Sequence, residues 1–391
     1  MKVKVSLIGL VDMLRFRDLG KHRAEWIEAH EATPLPATYP ANELAKRLHP
    51  KHQKVRIARI ERLADNISLF TLVPAQEGGE LAPFMAGSYI SLTMEIDGSI
   101  VSRSYSLCSS PKAVFAEPGS YQIVVKRSKG GLASNYLLDR AKEGDILTAS
   151  DPAGHLNHSN IRDEKHVIGL AGGTGISPFV AMARAIADGV EDFELTIIYG
   201  VKNRSEILFA DELKAIGERT GKVHVEYVLS GEDDPAYAHG FITRDMVAQA
   251  AGDRPYSVFA AGPTAFLTYL DTELAPLHLD QKHYRTERTG VPLPEGEART
   301  FKLTVRVEDE VYEIPARSDE TVLTALERGG LLIRNKCRQG SCGYCRSHLI
   351  SGQVSADLPG TKMRLGDARY NYFLPCCTFP LSDLEIQVDR Y

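Results

Sequence analysis

The sequence predicts a multidomain chain in which an antiparallel β domain precedes an α/β domain with a parallel sheet and a smaller α+β domain. From Lys54 to about Leu156 apolar and polar residues alternate, as in "KVRIARIERL", which is typical of half-buried strands. After His166 short apolar strands alternate with helical segments, and this order predicts a parallel sheet covered by helices. A segment rich in proline, glycine and charge then separates a predicted hairpin, a helix and a cysteine-rich loop from the rest.

These changes of pattern divide the chain into five segments: an N-terminal extension (1–52), the β domain (53–160), the α/β domain (161–287), a linker (288–300) and the C-terminal domain (301–391). In the extension, "MLRFRDLGKHRAEWIEAHEA" has the composition of an amphipathic helix. The prolines of "TPLPATYP" end it, and "ANELAKRLH" predicts a second short helix. No motif assigns a function to this extension.

Composition limits the possible functions. The net charge of −5 gives no indication of binding to nucleic acid or to a membrane surface. No stretch approaches the ~20 apolar residues that span a bilayer, and the N-terminal residues lack a signal-peptide cleavage site. Five of the six cysteines lie between Cys337 and Cys377, unlike the dispersed cysteines of a secreted disulfide scaffold. We therefore expect a cytoplasmic protein whose clustered thiols bind metal.

The cysteine loop "CRQGSCGYC" places Cys337, Cys342 and Cys345 within nine residues, and "LPCCTFP" adds Cys376 and Cys377 farther along. The C-x4-C-x2-C spacing with a distant fourth cysteine matches the four thiolates of a plant-type [2Fe-2S] cluster. A zinc ribbon is the alternative, but it prefers two separated C-x2-C pairs. The spacing therefore predicts an iron–sulfur cluster.

Over residues 301–391 the sequence resembles a plant-type ferredoxin domain, through "CRQGSCGYC" and the closing "LPCCTFPLSDLEI". The resemblance implies a β-grasp fold. It also implies Cys376 as the fourth ligand, since the family places a proline four residues after that cysteine, here Pro380. Neighbouring side chains of an extended segment point to opposite faces, so Cys377 is expected to point away from the cluster as a small buried hydrophobe.

Two motifs of the β domain suit a flavin. "RSYS" offers an arginine for phosphate, a tyrosine for the face of a planar ring and a hydroxyl for a ring nitrogen. About 25 residues later, "GGLASNYLLD" begins a predicted helix, whose first amides can bind phosphate. Each motif alone is weak, because short motifs recur by chance and a capped helix start is common. Their combination in one β domain favours flavin binding.

Together the motifs resemble the ferredoxin–NADP reductase superfamily over about residues 54–287. The resemblance implies that Arg103 contacts flavin phosphate, that Tyr105 packs on the isoalloxazine ring and that Ser106 approaches its N5 atom. The full implied flavin set is Arg103, Ser104, Tyr105, Ser106, Gly130, Gly131, Ala133 and Ser134. Members that use FMN usually carry a histidine shortly after the phosphate-binding serine, whereas this chain has "SNYLLD", so FAD is favoured over FMN.

The α/β domain contains a glycine-rich turn, "LAGGTGISPF", between a predicted strand and helix. It is not the usual dinucleotide fingerprint, but glycines at such a turn allow pyrophosphate to approach a helix N-terminus. Within the superfamily this turn and a second motif, here "AAGPTAF", bind the pyridine nucleotide. The implied residues are Gly172, Gly173, Thr174, Gly175, Gly262 and Pro263. Ala261 replaces the cysteine that the family places near the nicotinamide.

The nucleotide itself is either NADH or NADPH. Lys202 and Arg204 offer positive charge for a 2′-phosphate, but charged residues are also usual in a solvated loop, and we favour NADH.

Chains with these three parts in this order resemble reductase components of bacterial oxygenase systems. The resemblance implies that NAD(P)H reduces a flavin, which passes electrons to the [2Fe-2S] cluster and on to a redox partner protein, such as an oxygenase component or another terminal reductase. No side chain is required for acid–base catalysis. The expected partner surface is the basic rim of the cysteine loop, formed by Arg334, Lys336, Arg338 and Arg346. A redox sensor without turnover and a reverse flow of electrons to NAD⁺ are the alternative functions.

Overall fold

The computed structural model describes residues 7–30, 37–355 and 363–389. It divides into two compact units, Met1–Arg47 and Leu48–Tyr391. The described helices of the N-terminal region are α1 (Leu7–Ala29) and α2 (Pro40–Leu48). Exposed apolar side chains lie on all sides of α1, including Phe16 and Trp26, so this helix is not the amphipathic one that was predicted. The break predicted at "TPLPATYP" lies mainly outside the described residues.

The β domain is a six-stranded antiparallel sheet that curls into a barrel. Its strands are β1 (Gln53–Ala64), β2 (Ile67–Pro74), β3 (Tyr89–Ile96), β4 (Ser99–Ser106), β5 (Tyr121–Lys126) and β6 (Ile146–Ala149), in the order β4-β3-β6-β1-β2-β5. An isolated bridge between Leu107 and Ile123 joins the two edges of the sheet. Helix α3 (Leu132–Asp139) follows β5, and its Ala133 and Leu137 pack into the apolar interior of the barrel.

The α/β domain is a parallel sheet with helices between its strands. The strands are β7 (His166–Gly172), β8 (Glu194–Val201), β9 (Val223–Leu229), β10 (Ala238–His239), β11 (Ser257–Pro263) and β12 (Tyr284–Thr289); the helices are α4 (Ser177–Ala187), α5 (Ala210–Thr220), α6 (Arg244–Ala251) and α7 (Thr264–Glu273). In the order β10-β9-β8-β7-β11-β12 every neighbouring pair is parallel. The carboxyl ends of β7 and β11, which carry the two glycine motifs, therefore lie side by side.

Strand β12 is a finding that the sequence did not predict. It pairs in parallel with β11 along Tyr284–Thr289, so the first residues of the expected linker belong to the sheet. The sequence "YRTERT" does not alternate between apolar and polar residues. This is compatible with an edge strand, whose side chains are only partly buried. Its placement brings Glu287 to the edge where the glycine motifs end.

The C-terminal domain is a mixed sheet packed on one helix. It contains β13 (Thr300–Val307), β14 (Glu310–Arg317), α8 (Val322–Arg328), β15 (Ser347–Ser351), α9 (Leu365–Arg369), β16 (Tyr372–Phe373) and β17 (Leu384–Val388), with sheet order β14-β13-β17-β15-β16. Strands β13 and β17 are parallel, and the other neighbouring pairs are antiparallel. The predicted fold class, a flavin barrel, a parallel α/β domain and an α+β ferredoxin domain, is confirmed.

Candidate functional site

The cysteine loop has a backbone that few sequences can adopt. Arg338, Gly340 and Gly343 all have positive φ angles, of 53°, 76° and 73°. Two of these positions are glycines, which accept this conformation without the steric cost that a Cβ atom brings. The loop places the Cys342 amide nitrogen 3.4 Å from the Cys337 sulfur. An N–H group at that distance stabilises a thiolate.

The donor atoms of the loop fit an iron–sulfur cluster. Cys337, Cys345 and Cys376 are buried and Cys342 is half-buried, so their sulfurs are shielded from water. The hydroxyl of Ser341, inside the same loop, is buried and has no hydrogen-bond partner among the described residues. Within those residues no three His, Cys, Asp or Glu side chains are arranged around one ion. Three thiols of the loop and the buried Cys376 supply the four thiolates of a binuclear iron–sulfur cluster.

Cys376 and Cys377 have different surroundings. Cys376 lines the same cavity as Cys337, whereas the Cys377 thiol lies 3.5 Å from the Leu374 carbonyl and is 1% exposed. The segment is a turn in which the Cys377 amide donates to Leu374, not the extended strand on which the expectation was based. The turn nevertheless directs the two side chains to different environments. The role of Cys376 as fourth ligand stays a prediction.

A cavity of about 680 Å³ lies where the barrel, the α/β domain and α8 meet. All the residues expected at the flavin line it: Arg103, Ser104, Tyr105, Ser106, Gly130, Gly131, Ala133 and Ser134. The cavity is also lined by four of the expected nucleotide residues: Thr174, Gly175, Gly262 and Pro263. The other two, Gly172 and Gly173, immediately precede Thr174 in the chain. The structure therefore brings the two predicted binding sites into one space.

The phosphate end of this cavity fits an anion. Helix α3 begins after Gly131 without a side-chain cap, so its first-turn amides are available to a ligand. The Ser134 hydroxyl accepts from the Ser128 amide (3.1 Å), which fixes the turn before the helix. Gly130 has a φ of 68°, and a Cβ atom built there would meet no atom within 4 Å. The glycine at this position is thus explained by backbone conformation and not by crowding.

The ring end of the cavity holds Tyr105, Ser106 and Glu287. Burial raises the pKa of Tyr105 to about 12, although nearby Arg103 acts in the opposite direction. Ser106 donates its hydroxyl proton to the Glu287 carboxylate. Burial raises the pKa of Glu287 to about 7, and the hydrogen bond from Ser106 opposes that rise. This carboxyl group can therefore hold or release a proton near neutral pH beside Ser106.

The two glycine motifs of the α/β domain pack directly on each other. A Cβ atom at Gly175 would lie 2.1 Å from the Ala261 carbonyl oxygen, and one at Gly262 would lie 2.7 Å from the Phe266 ring. Gly173 has a φ of 55°. Any side chain at Gly175 would therefore push the turn away from β11. These glycines bring both backbones close to the space that a nucleotide would occupy.

A second cavity, of about 400 Å³, connects the flavin side of the barrel with the thiols. Arg103, Ser104 and Ser106 line it on the barrel side, and Cys337 and Cys376 line it on the ferredoxin side. The flavin and cluster sites are therefore adjacent.

Lys336 holds the ferredoxin domain against the barrel, whereas Arg338 pairs within the ferredoxin domain. The Lys336 ammonium lies 2.6 Å from Asp151. The backbone carbonyl of Lys336 accepts hydrogen bonds from the hydroxyls of Ser91 (3.0 Å) and Ser104 (2.5 Å). The Arg338 guanidinium lies 2.7 Å from Glu327. The expectation that these two cations face a partner protein is wrong, because their charge is used inside the chain.

Two residues of this region were not singled out from the sequence. Glu287 lies in the unpredicted strand β12, where no motif marked it. Glu327 follows Leu323 by four residues, on the side of α8 that also carries the buried Leu326. A carboxylate at an apolar position of a helix was the signal that could have identified Glu327.

Three family models match consecutive parts of the chain. They describe an oxidoreductase FAD-binding domain (54–158), an oxidoreductase NAD-binding domain (170–272) and a 2Fe-2S iron–sulfur cluster binding domain (305–381). The domain content and the cofactors expected from the sequence are confirmed, while the finer boundaries and individual site residues stay predictions. No helix within the described ranges is both long and apolar enough to cross a membrane.

Relatives match most of the chain at low identity. The glycine betaine monooxygenase reductase subunit of Pseudomonas aeruginosa is 29% identical over 325 residues, which cover 78% of this chain and 87% of the relative. The carnitine monooxygenase reductase subunit of Escherichia coli is 28% identical over 307 residues, which cover 77% of this chain and 87% of that relative. Among solved structures, phthalate dioxygenase reductase matches with a TM-score of 0.64 and 25% identity, over 90% of this chain and all of that one.

Proposed function

Because the chain is a flavin reductase of the ferredoxin–NADP reductase superfamily joined to a plant-type [2Fe-2S] ferredoxin domain, we propose that it supplies electrons from NADH to a separate oxygenase component. The chain is an NAD(P)H-dependent electron-transfer reductase that passes electrons to a redox partner. The names of relatives support an oxygenase as that partner: two are reductase subunits of glycine betaine and carnitine monooxygenases. We also place the protein in the cytoplasm, on its clustered cysteines.

A bound flavin would supply an acceptor for the hydride of the nicotinamide, and a bound cluster would supply one-electron transfer from the flavin. The chain supplies position and charge for this chemistry. Arg103 and the first turn of α3 bind flavin phosphate, Tyr105 packs on the ring, and Ser106 donates to Glu287 beside it. Glu287 can supply or hold a proton at its carboxylate next to Ser106.

The nucleotide is held by Gly172, Gly173, Thr174, Gly175, Gly262 and Pro263, and the cluster by Cys337, Cys342, Cys345 and Cys376. The observation that carries this proposal is the continuous lining of the two cavities. It runs from Gly262 past Ser106 to Cys376, so the donor, the flavin and the thiol sites share walls. Adjacent sites favour electron transfer without a mobile carrier. The N-terminal extension, residues 1–52, has no role in this scheme.

The test is anaerobic titration of the purified protein with NADH, followed by absorbance and by electron paramagnetic resonance. We expect flavin bleaching together with a reduced [2Fe-2S] signal, and steady reduction of cytochrome c under turnover. Reduction of the flavin without any cluster signal would contradict the relay. Reduction of both centres without turnover would instead support the redox-sensor alternative.

NADH is favoured over NADPH by the charges around Arg204. Its backbone amide donates to Glu232 (2.8 Å), and its guanidinium lies 3.7 Å from Asp234. Two carboxylates at this position oppose the approach of a 2′-phosphate, and one of them, Asp234, already pairs with the cation that would bind it. The measurement is kcat/KM for the two nucleotides. A higher value for NADPH would contradict the assignment.

The surface that remains open beside the cluster loop suits an acidic partner. We define the exit patch as Tyr344, Arg346, Arg364, Leu365, Arg369 and Tyr370. Tyr344 is 51% and Leu365 91% exposed, and Arg346 reaches α9 through Asp367 at 3.0 Å. Exposed tyrosine and arginine are the residue types that dominate protein interfaces. Because Lys336 and Arg338 are paired within the chain, we place the exit of electrons at this exposed patch.

The exit patch is tested with Arg364→Glu combined with Arg369→Glu. Opposite charge should raise KM for the protein acceptor and remove much of its salt dependence, while ferricyanide reduction stays unchanged. The matched control is Arg219→Glu on α5 of the nucleotide domain. An equal effect of the control, or no effect of the double reversal, would place the partner elsewhere.

A further inference from the structure

Glu327 belongs to the ferredoxin domain but is bonded to the flavin domain. Its side chain is 1% exposed, and its carboxylate accepts three hydrogen bonds. The donors are the backbone amide of Ser102 (2.9 Å), the guanidinium of Arg103 (2.8 Å) and the guanidinium of Arg338 (2.7 Å). One buried carboxylate thus connects strand β4, helix α8 and the cysteine loop.

The geometry at Arg103 is specific. Its Nη1 donates both to the Ser102 carbonyl (2.7 Å) and to Glu327 (2.8 Å). A guanidinium has five donor hydrogens in a rigid plane, so fixing one nitrogen fixes the orientation of the others. Nε and Nη2 are then the donors left for a phosphate. A long side chain held in this way loses less entropy when a ligand binds.

We propose that Glu327 is a positioning residue for the flavin site, through which the ferredoxin domain orients Arg103 for flavin phosphate. The inference rests on the proposed role of Arg103 at the flavin and adds a dependence that the domain order alone does not suggest. Flavin retention by the barrel is linked to docking of the ferredoxin domain, since the same carboxylate makes both contacts. A flavin-loaded barrel and a docked cluster loop therefore favour each other.

The charge of Glu327 by itself would predict the opposite change in flavin affinity when Glu327 is removed. Removal of an anion beside Arg103 strengthens the attraction between the guanidinium and a phosphate. Loss of orientation weakens binding, because the half-buried Arg103 loses the acceptor that fixes its Nη1 and with it the direction of Nε and Nη2. The direction of the change in flavin affinity thus distinguishes positioning from a purely Coulombic influence.

The experiment measures the flavin dissociation constant of the full chain after reversible removal of flavin, for Arg103→Ala, Glu327→Ala and the double variant. Arg103→Ala should weaken flavin binding roughly ten- to hundredfold, the size of a charge-assisted phosphate contact. Glu327→Ala should weaken it roughly three- to tenfold. In the Arg103→Ala background, Glu327→Ala should add less than about twofold, because its effect passes through Arg103.

Two further variants keep the result interpretable. Glu327→Gln retains the length and an acceptor oxygen, so it should bind flavin more tightly than Glu327→Ala even if the latter folds poorly. Asp151→Asn weakens the other ionic contact between the same domains, Lys336–Asp151, without touching Arg103, and should leave flavin affinity unchanged. Circular dichroism and cluster absorbance confirm that each variant is folded.

The proposal would be overturned if either Glu327 variant bound flavin more tightly than the wild type does. It would also be overturned if the effects of Glu327→Ala and Arg103→Ala on flavin affinity multiplied in the double variant. An equal loss of flavin in Asp151→Asn would also overturn it, because general loosening of the interface would then account for the effect. If wild-type protein binds no flavin, the proposed function itself fails. If Arg103→Ala alone has no effect on flavin binding, the role of Arg103 is wrong and the positioning role of Glu327 fails with it, while the proposed function stands.

Discussion

The flavin barrel meets its two neighbours through interfaces of different chemistry. Toward the nucleotide domain it shares one apolar core, in which Ile67, Leu69 and Val124 of the barrel pack with Phe179 and Val180 of α4. Toward the ferredoxin domain the contacts are ion pairs and hydrogen bonds, and the apolar core of that domain contains no barrel residue among those described. The first interface resembles the inside of one domain, and the second resembles a docking surface.

The difference indicates which parts act as a unit. An apolar core that is continuous across two domains cannot open without exposing that core to water. Ionic contacts can separate and re-form in water at much lower cost, since both charges regain hydration. The barrel and the nucleotide domain therefore hold the hydride donor and acceptor in fixed geometry, whereas the ferredoxin domain is attached through replaceable polar contacts.

The largest expected effect comes from removing the ferredoxin domain. A chain that ends at Gly290 keeps β12 and the whole shared core, so it should fold and oxidise NADH with ferricyanide. Reduction of cytochrome c should fall to background, because the cluster is its source of electrons. The measurement is a pair of steady-state assays on the two chains. Undiminished cytochrome c reduction by the shorter chain would show that electrons leave from the flavin.

Cluster ligation gives the next effect. Cys376→Ser should lose the iron–sulfur absorbance, since serine is a poor substitute for a thiolate at iron. Its neighbour supplies a matched control: Cys377→Ser should keep the absorbance and lose only some stability, because Cys377 lies in the apolar core. Iron content and visible spectra of both proteins measure this. The reverse pattern would make Cys377 the ligand.

The shared core itself can be tested by Phe179→Ala. Phe179 of α4 is fully buried against β7. Replacement of its ring by alanine should lower the free energy of unfolding by about 3–5 kcal/mol. Calorimetry should show the barrel and the nucleotide domain melting together at a lower temperature, while the cluster absorbance persists to the original one. Leu323→Ala in the ferredoxin core is the matched control and should lower only the cluster transition. Simultaneous loss of both signals in Phe179→Ala would show that the ferredoxin domain is not independent.

The sequence predicted the elements with strong periodicity or strong motifs. The strands of the barrel, the alternating α/β segment and the cysteine spacing each leave a local signature. Contacts between domains leave almost none. Glu287 looks like an ordinary surface residue in "TERTG", and only the docked fold shows that it is half-buried and bonded to Ser106. Glu327 in "LERGG" is marked by its apolar helix position alone, and its partners Ser102 and Arg103 lie in another domain. For the same reason Lys336 and Arg338 were assigned to a partner, because a sequence does not say whether a cation is paired within its own chain.

The smallest expected effect is a pH dependence of stability that arises from Glu287, at the contact between the nucleotide domain and the barrel. Glu287 ends the nucleotide domain and bonds Ser106 of the barrel, and burial raises its pKa from 4.5 to about 7. A raised pKa means that the folded protein holds this proton more firmly than the unfolded chain. The resulting stabilisation is complete below pH 4.5 and is lost as pH rises through about 7. Glu287→Gln lacks this titration.

The melting temperature of wild type relative to Glu287→Gln should therefore decline as pH rises through this range, since the wild-type carboxylate must then ionise in a half-buried position. Glu77→Gln, in an exposed turn of the barrel, is the control for a general effect of removing a carboxylate. A difference between wild type and Glu287→Gln that stays constant with pH would show that Glu287 is ionised throughout. In that case the contact with Ser106 would be a fixed ionic link between the barrel and the nucleotide domain. That link would add to the ion pair of Lys126 with Glu206 (2.8 Å), which already joins the two domains beside their shared apolar core.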